Sequence, residues 1–232
     1  MTLKIKQEFL SLSLRPPFTT SNINEKTQPP GMMHKGFLIV IYGANNIGKT
    51  TQAKKLVDWL ITQGCEAEYL KYPIYHSSTG KRISGILREG KEPDIHETDF
   101  QTIYYENRKE FEPELKQKLD AGVMMVAEDY IGTSLAWGSA KGADYKYLKK
   151  LNSKLIQEDL ALLMDGERFL AGKEAHHLHE DNEALMAKVR EIHLCIGKEM
   201  GWKIIPANRP VDVVFEDLNQ EVLNLLQHKA KK

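Results

Sequence analysis

The sequence has little cysteine: Cys65 and Cys195 are the only two in 232 residues. Two cysteines in a chain of this size form neither a disulfide framework nor a metal-ligand spacing, which suits a reducing compartment, and a cytoplasmic location is expected. No apolar run approaches the roughly 20 residues that cross a bilayer, so no membrane partner is expected. Nor is there an excess of charge, since 32 Lys+Arg balance 32 Asp+Glu. That balance excludes the strongly basic footprint of a protein that holds nucleic acid mainly through its phosphates. What is present is ordinary globular material, 41% hydrophobic and 28% charged. A chain of this length buries a substantial core without metals or disulfides.

The neutral total conceals two unlike parts. Residues 1–35 carry Lys4, Lys6, Arg15, Lys26 and Lys35 against Glu8 and Glu25. Four prolines, Pro16, Pro17, Pro29 and Pro30, fall in the same stretch with no sustained period of two or of three to four. It reads as a flexible N-terminal extension. A basic, Ser-containing N-terminus is compatible with an organelle transit peptide, although Glu8 and the prolines weaken the amphipathicity such peptides need. The other reading is a misplaced start, because Met32 and Met33 lie just before the first strand. Residues 36–232 form the folded domain.

From Gly36 the pattern is regular. Phe37 to Tyr42 is an apolar, partly β-branched run that reads as a strand buried on both faces. Ala53, Leu56, Val57, Leu60 and Ile61 fall on one helical face, with Gly64 as the closing glycine. A second strand is expected over 67–72, and a helix over 99–120 with a kink at Pro113. A third strand follows over 123–127, then a Lys- and Leu-rich helix and a fourth strand over 160–164. After a charged irregular stretch come a helix carrying Leu185, Val189, Ile192 and Ile196, a short strand over 203–205, and a last helix after Pro210. Alternating strands and helices predict a three-layer α/β/α fold with a five-stranded parallel sheet.

Between the first strand and first helix, Gly43-Ala44-Asn45-Asn46-Ile47-Gly48-Lys49-Thr50 fits G-x-x-x-x-G-K-[ST] without a mismatch. Such a loop points successive backbone N–H groups at phosphate oxygens, and the following helix directs its positive end to the same place. Gly43, Asn45, Asn46, Ile47, Gly48, Lys49, Thr50 and Thr51 are therefore the expected residues for binding a nucleoside triphosphate, with Lys49 reaching the phosphates and Thr50 ligating Mg2+. The third strand ends in Glu128-Asp129. A carboxylate at the carboxyl end of that strand suits the Mg2+ of a P-loop site, so Glu128 is expected to serve both metal and catalysis. No Asn-Lys-x-Asp guanine motif occurs.

From Gly36 to the last helix the chain resembles a thymidylate kinase of the nucleoside monophosphate kinase group. The resemblance rests on segments in order: Gly48-Lys49-Thr50-Thr51-Gln52; Tyr72-Pro73 with Gly80, Ile83 and Leu87; Tyr104-Tyr105-Glu106-Asn107-Arg108; and Tyr130 to Gly142 with Ala136-Trp137 and Ala140-Lys141-Gly142. It implies a P-loop NTPase fold with a lid, transfer of the γ-phosphate of ATP to dTMP to give dTDP for dTTP synthesis, and a homodimer. It further implies that Tyr104 stacks on the acceptor base and that Arg108 contacts the ring or its phosphate. It implies as well that Tyr72 and Thr133 lie near the acceptor and that Trp137 crowds the sugar. Tyr104 and Trp137 taken alone would also suit core positions.

The departures from the family are specific. Asn45 stands where the P-loop carries an acidic residue, Tyr75 where the Phe-Pro segment carries an arginine, and Asp129 where the strand-end turn carries an arginine. An anion in place of that last cation repels phosphate unless a metal or lysine intervenes. A catalytic lid arginine is sought after the fourth strand, where Arg168 is the first choice and Lys173 the second. His176, His177 and His179 in the same stretch lack a visible fourth ligand and read as solvated loop. Beside dTMP kinase, two other readings stand at this point: a related kinase acting on another deoxynucleotide or a deoxynucleoside, and a nucleotide-binding module that has lost phosphoryl transfer.

Overall fold

The computed structural model describes residues 35–88, 95–168 and 182–229. Five strands form one sheet: β1 (Leu38–Gly43), β2 (Ala67–Lys71), β3 (Met124–Glu128), β4 (Leu160–Asp165) and β5 (Lys203–Pro206). Every pairing is parallel, as the sequence pattern predicts, and the strand order, which that pattern does not give, is β2-β3-β1-β4-β5. The helices are α1 (Lys49–Thr62), α2 (Ser78–Arg88), α3 (Glu97–Asp120), α4 (Ile131–Ala140), α5 (Tyr145–Asn152), α6 (Glu183–Met200) and α7 (Val211–Lys229). Of the expected extension, residues 1–34 lie outside the described residues.

The period-two alternation of β1 divides the core into two layers. Leu38, Val40 and Tyr42 face one layer with Leu115, Leu119, Leu135 and Val189 from α3, α4 and α6. Ile39 and Ile41 face the other, with Leu56 and Leu60 of α1 and Leu218 and Val222 of α7. Leu38 through Tyr42 are fully buried. At about 1.5–3 kcal/mol for each buried aliphatic side chain, this central strand is a principal source of the fold's stability.

The strands differ from the expected boundaries by one residue at one or both ends, and α3 starts two residues earlier. The third strand starts at Met124 and ends at Glu128, so Glu128 is its last residue. The helix over α3 starts at Glu97, capped by His96 Nδ1, which accepts from the N–H of Thr98 at 3.3 Å, and continues through Pro113 to Asp120. Helix α4 has no polar face in the sequence because it is buried on nearly every side, with only Thr133, Trp137 and Ser139 partly exposed. Gly132 lets it approach the Tyr42–Trp202 stack, whose rings lie 4.3 Å apart. A Cβ at Gly132 would meet Trp202 Cη2 at 2.2 Å.

Register brings chemistry to one edge. Lys71 pairs with Glu128, Ile41 with Glu128 and Gly43 with Met164, so the carboxyl ends of β1 to β4 open onto the same side. In an open parallel sheet that edge is where ligands bind.

Candidate active site

The loop after β1 has the backbone its residues allow. Gly48 has φ 91 and Asn46 φ 57, both left-handed, a conformation a side chain at 48 would strain. Gly48 is the N-cap of α1 and supplies no side-chain cap, so the first N–H groups of α1 have no side chain across them and can serve an anion. Lys49 is buried; its Nζ donates to the carbonyls of Gly43 at 3.0 Å and Ala44 at 2.9 Å and lies 3.6 Å from Asp129 Oδ1. Thr50 Oγ1 donates to Glu128 Oε2 at 3.1 Å. Glu128 is itself buried, and its other oxygen accepts from the Tyr69 hydroxyl. That hydroxyl's pKa is raised well above the ordinary value by burial and by the hydrogen bond to Glu128.

A cavity of about 460 Å³ opens beside this loop. Asn45, Asn46, Gly48, Lys49 and Thr50 form one end, and Glu128 and Asp129 form part of the wall. Tyr72, Tyr104, Arg108, Thr133 and Trp137 line the remainder, so residues from four separate segments meet. Three expected P-loop residues are off this wall, namely Gly43, Ile47 and Thr51. Ile47 instead anchors the loop in the core, and Thr51 is exposed on α1.

Tyr104 and Arg108 project from α3 one turn apart. The Tyr104 ring leans on Phe100 with centroids 4.9 Å apart, and burial pushes its hydroxyl pKa well up. Arg108 is 2% exposed, with its Cζ 6.0 Å from the Tyr130 ring centre, and its Nε and Nη1 have no hydrogen-bond partner among the described residues. Burial lowers the guanidinium pKa, and the surrounding tyrosines offset part of that. Tyr72 is a wall residue of the cavity and also part of the core, edge-on to Phe111 and tilted against Tyr130.

Asp129 adopts φ 60 at the turn from β3 to α4, a conformation Asp tolerates better than most residues. The expected repulsion at Asp129 is met by a lysine, and that lysine is Lys49 of the P-loop; Thr133 Oγ1 also donates to Asp129, at 3.2 Å. Tyr75 lies half-exposed on the cavity rim. Arg168 is not on the cavity wall, but its Nε donates to the carbonyl of Asn45 at 3.3 Å, which sets it on the P-loop backbone. Lys173, His176, His177 and His179 lie outside the described residues.

Several cavity residues carry no motif. Glu97 accepts from Gln101 Nε2 at 2.7 Å and pairs with Lys141 at 3.0 Å, and Ser134 donates to Gln101 Oε1 at 2.6 Å. The available signal was spacing: Glu97, Gln101, Tyr104 and Arg108 recur at i, i+4, i+7 and i+11, one stripe of a helix. Lys71, at the end of β2, had no signal beyond adjacency to Tyr72-Pro73.

A P-loop at the end of the central strand of an all-parallel sheet, facing a cavity lined by aromatics and an arginine, defines a P-loop nucleotide-binding α/β protein with room for a second ligand. Comparison with known proteins narrows the class. The family model for thymidylate kinase matches residues 41–218, and the chain belongs to the thymidylate kinase family, whose members are phosphotransferases. It is 30% identical to the thymidylate kinase of Homo sapiens over 189 residues, covering 79% of this chain and 88% of that protein. The thymidylate kinase of Danio rerio is 27% identical over 203 residues, with 84% and 95% covered. In fold, the chain matches the solved thymidylate kinase of Candida albicans with a TM-score of 0.69 at 21% identity, covering 84% of this chain and 94% of that one.

Proposed function

We propose that the protein transfers the γ-phosphoryl group of ATP to the 5′-phosphate of dTMP, yielding dTDP and ADP. The observation that carries this is a single cavity joining Gly48, Lys49 and Thr50 to Tyr104, Arg108, Thr133 and Trp137. Donor phosphates lie along the P-loop N–H groups with Lys49, and the acceptor base lies in the aromatic end against Tyr104. A phosphate monoester has a second pKa near 6, so at neutral pH the acceptor is already a nucleophilic dianion and needs no general base. The protein's work is to hold two polyanions in line and to offset charge on the migrating group.

Thr50 and Glu128 offer a hydroxyl and a carboxylate 3.1 Å apart, an all-oxygen donor pair that fits Mg2+. Bound there, Mg2+ would neutralise charge on the donor phosphates. Tyr69 orients the Glu128 carboxylate, and Arg168, seated on the carbonyl of Asn45, is the cation from the lid segment that serves the donor phosphates. Arg108, with two unpartnered nitrogens, supplies donors to the acceptor. Family resemblance extends the reading to a cytoplasmic homodimer.

The test is ADP release from ATP and Mg2+ with a panel of nucleosides and nucleoside monophosphates. Turnover should peak with dTMP, and Lys49→Ala should abolish it without loss of fold. Measurable ATP binding without turnover on any acceptor would overturn the reading.

A further inference from the structure

We propose that Lys71 is the cation that receives the acceptor's 5′-phosphate, a proposal that rests on the dTMP kinase reading above. Among the described residues the cavity wall holds four cations, Lys49, Lys71, Arg108 and Lys141, against three carboxylates, Glu97, Glu128 and Asp129. That is a small surplus for a site that must seat two polyanions, so where each cation is committed decides what it can do.

Lys49 is committed to the P-loop, with its ammonium on the Gly43 and Ala44 carbonyls and beside Asp129. Lys141 is engaged by Glu97 at 3.0 Å and sits 6.0 Å from the Phe100 ring, on the aromatic side of the cavity. Arg108 is 2% exposed, held one helical turn from Tyr104 with its guanidinium over the Tyr130 ring, so it has little freedom to move. Lys71 differs from all three. It is 49% exposed, it lines the cavity, and its pairing with Glu128 is loose at 3.8 Å. Glu128 has two other donors, Tyr69 and Thr50, so Lys71 can turn away without stranding that carboxylate. A partly exposed ion pair of this kind holds its members weakly.

Position agrees with commitment. Lys71 ends β2 in register with Glu128, which Thr50 of the P-loop contacts, and directly precedes the Tyr72-Pro73 segment of the cavity wall. An ammonium on a four-carbon stem can follow a phosphate across such a boundary, which a planar guanidinium in a fixed cradle does less readily.

The experiment measures binding of dTMP and of thymidine, which differ only in the phosphate, to the whole protein and to Lys71→Met and Lys71→Arg, with ATP affinity measured alongside. Wild type should prefer dTMP, Lys71→Met should shrink that preference roughly tenfold or more, and Lys71→Arg should retain most of it. Thymidine and ATP affinities should change by less than about twofold if the lost contact is with the acceptor phosphate alone. An unchanged dTMP-to-thymidine ratio in a folded Lys71→Met protein overturns the proposal, as does a loss confined to ATP, which would make Lys71 a positioning residue for Glu128. Those results leave wild-type turnover on dTMP intact. Failure of the function reading would instead appear as wild type that phosphorylates no nucleotide, and it would take this proposal with it.

Discussion

Arg108 carries a charge nearly sealed from water, with Nε and Nη1 lacking hydrogen-bond partners and its pKa lowered by burial. A buried cation without oxygen partners is destabilising, and it is kept where a ligand completes it. Arg108→Met should therefore raise the KM for dTMP roughly tenfold to a hundredfold while leaving the melting temperature unchanged or higher. Steady-state kinetics and a thermal melt check both halves, and a variant that melts lower with unchanged KM would assign Arg108 to structure. The i, i+4 spacing of Tyr104 and Arg108 made their shared face legible in the sequence. Spacing alone could not show that the face opens on a cavity and not on a packed core, because Phe100 and Ile103 occupy the same helix and are buried.

At the scale of elements, one amide ties α3 to the chain that leads from β2 into α2. Asn107 Oδ1 accepts from the N–H of Ile74 at 2.7 Å, and its Nδ2 donates to the Ile74 carbonyl at 3.2 Å and to the hydroxyls of Ser77 and Thr79, each at 3.0 Å. Next on the same helix, Glu110 accepts from the backbone N–H and hydroxyl of both Ser78 and Thr79 at the start of α2. Thr79 and the other α2 donors hold the Glu110 carboxyl down to a pKa of about 2. Because Asn107 is fully buried, Asn107→Ala strands several polar groups and should destabilise the protein by about 2–4 kcal/mol in urea unfolding. The KM for dTMP should rise with it, since Tyr72 and Tyr75 hang from the same segment. The central strands β1, β3 and β4 and helix α1 were readable because those strands are almost wholly apolar and α1 has one apolar stripe. Helix α4 was not, since burial on nearly all sides erases the polar face that marks a helical period.

For the whole molecule, zero net charge says nothing about the site, because the cations that matter are a handful converging on one cavity. Stability toward acid is a different matter. His193 on α6 is buried, and its pKa is lowered to about 4, first by burial and then by the Lys49 charge. An unfolded histidine titrates near 6.5, so between pH 6.5 and 4 the unfolded chain binds a proton that the folded chain does not. The stability associated with neutral His193 is complete above pH 6.5 and falls as pH drops through that window, by at most about 1.4 kcal/mol per pH unit. Urea midpoints measured across the window should show this slope, and His193→Gln should flatten it whatever its stability at pH 7. A slope unchanged in the variant would place the acid sensitivity elsewhere.

The sequence by itself determined the fold class, the sheet's parallel character and the phosphate loop, because each is written in local periodicity or in one contiguous motif. The tertiary structure alone decided which charges meet: Lys49 with Asp129, Thr50 and Tyr69 with Glu128, Lys71 in register with Glu128, and Arg168 on the carbonyl of Asn45. Those partners lie tens of residues or more apart and belong to separate elements. Their meeting depends on strand order and register, which arise from packing across the whole sheet and leave no trace in any one segment.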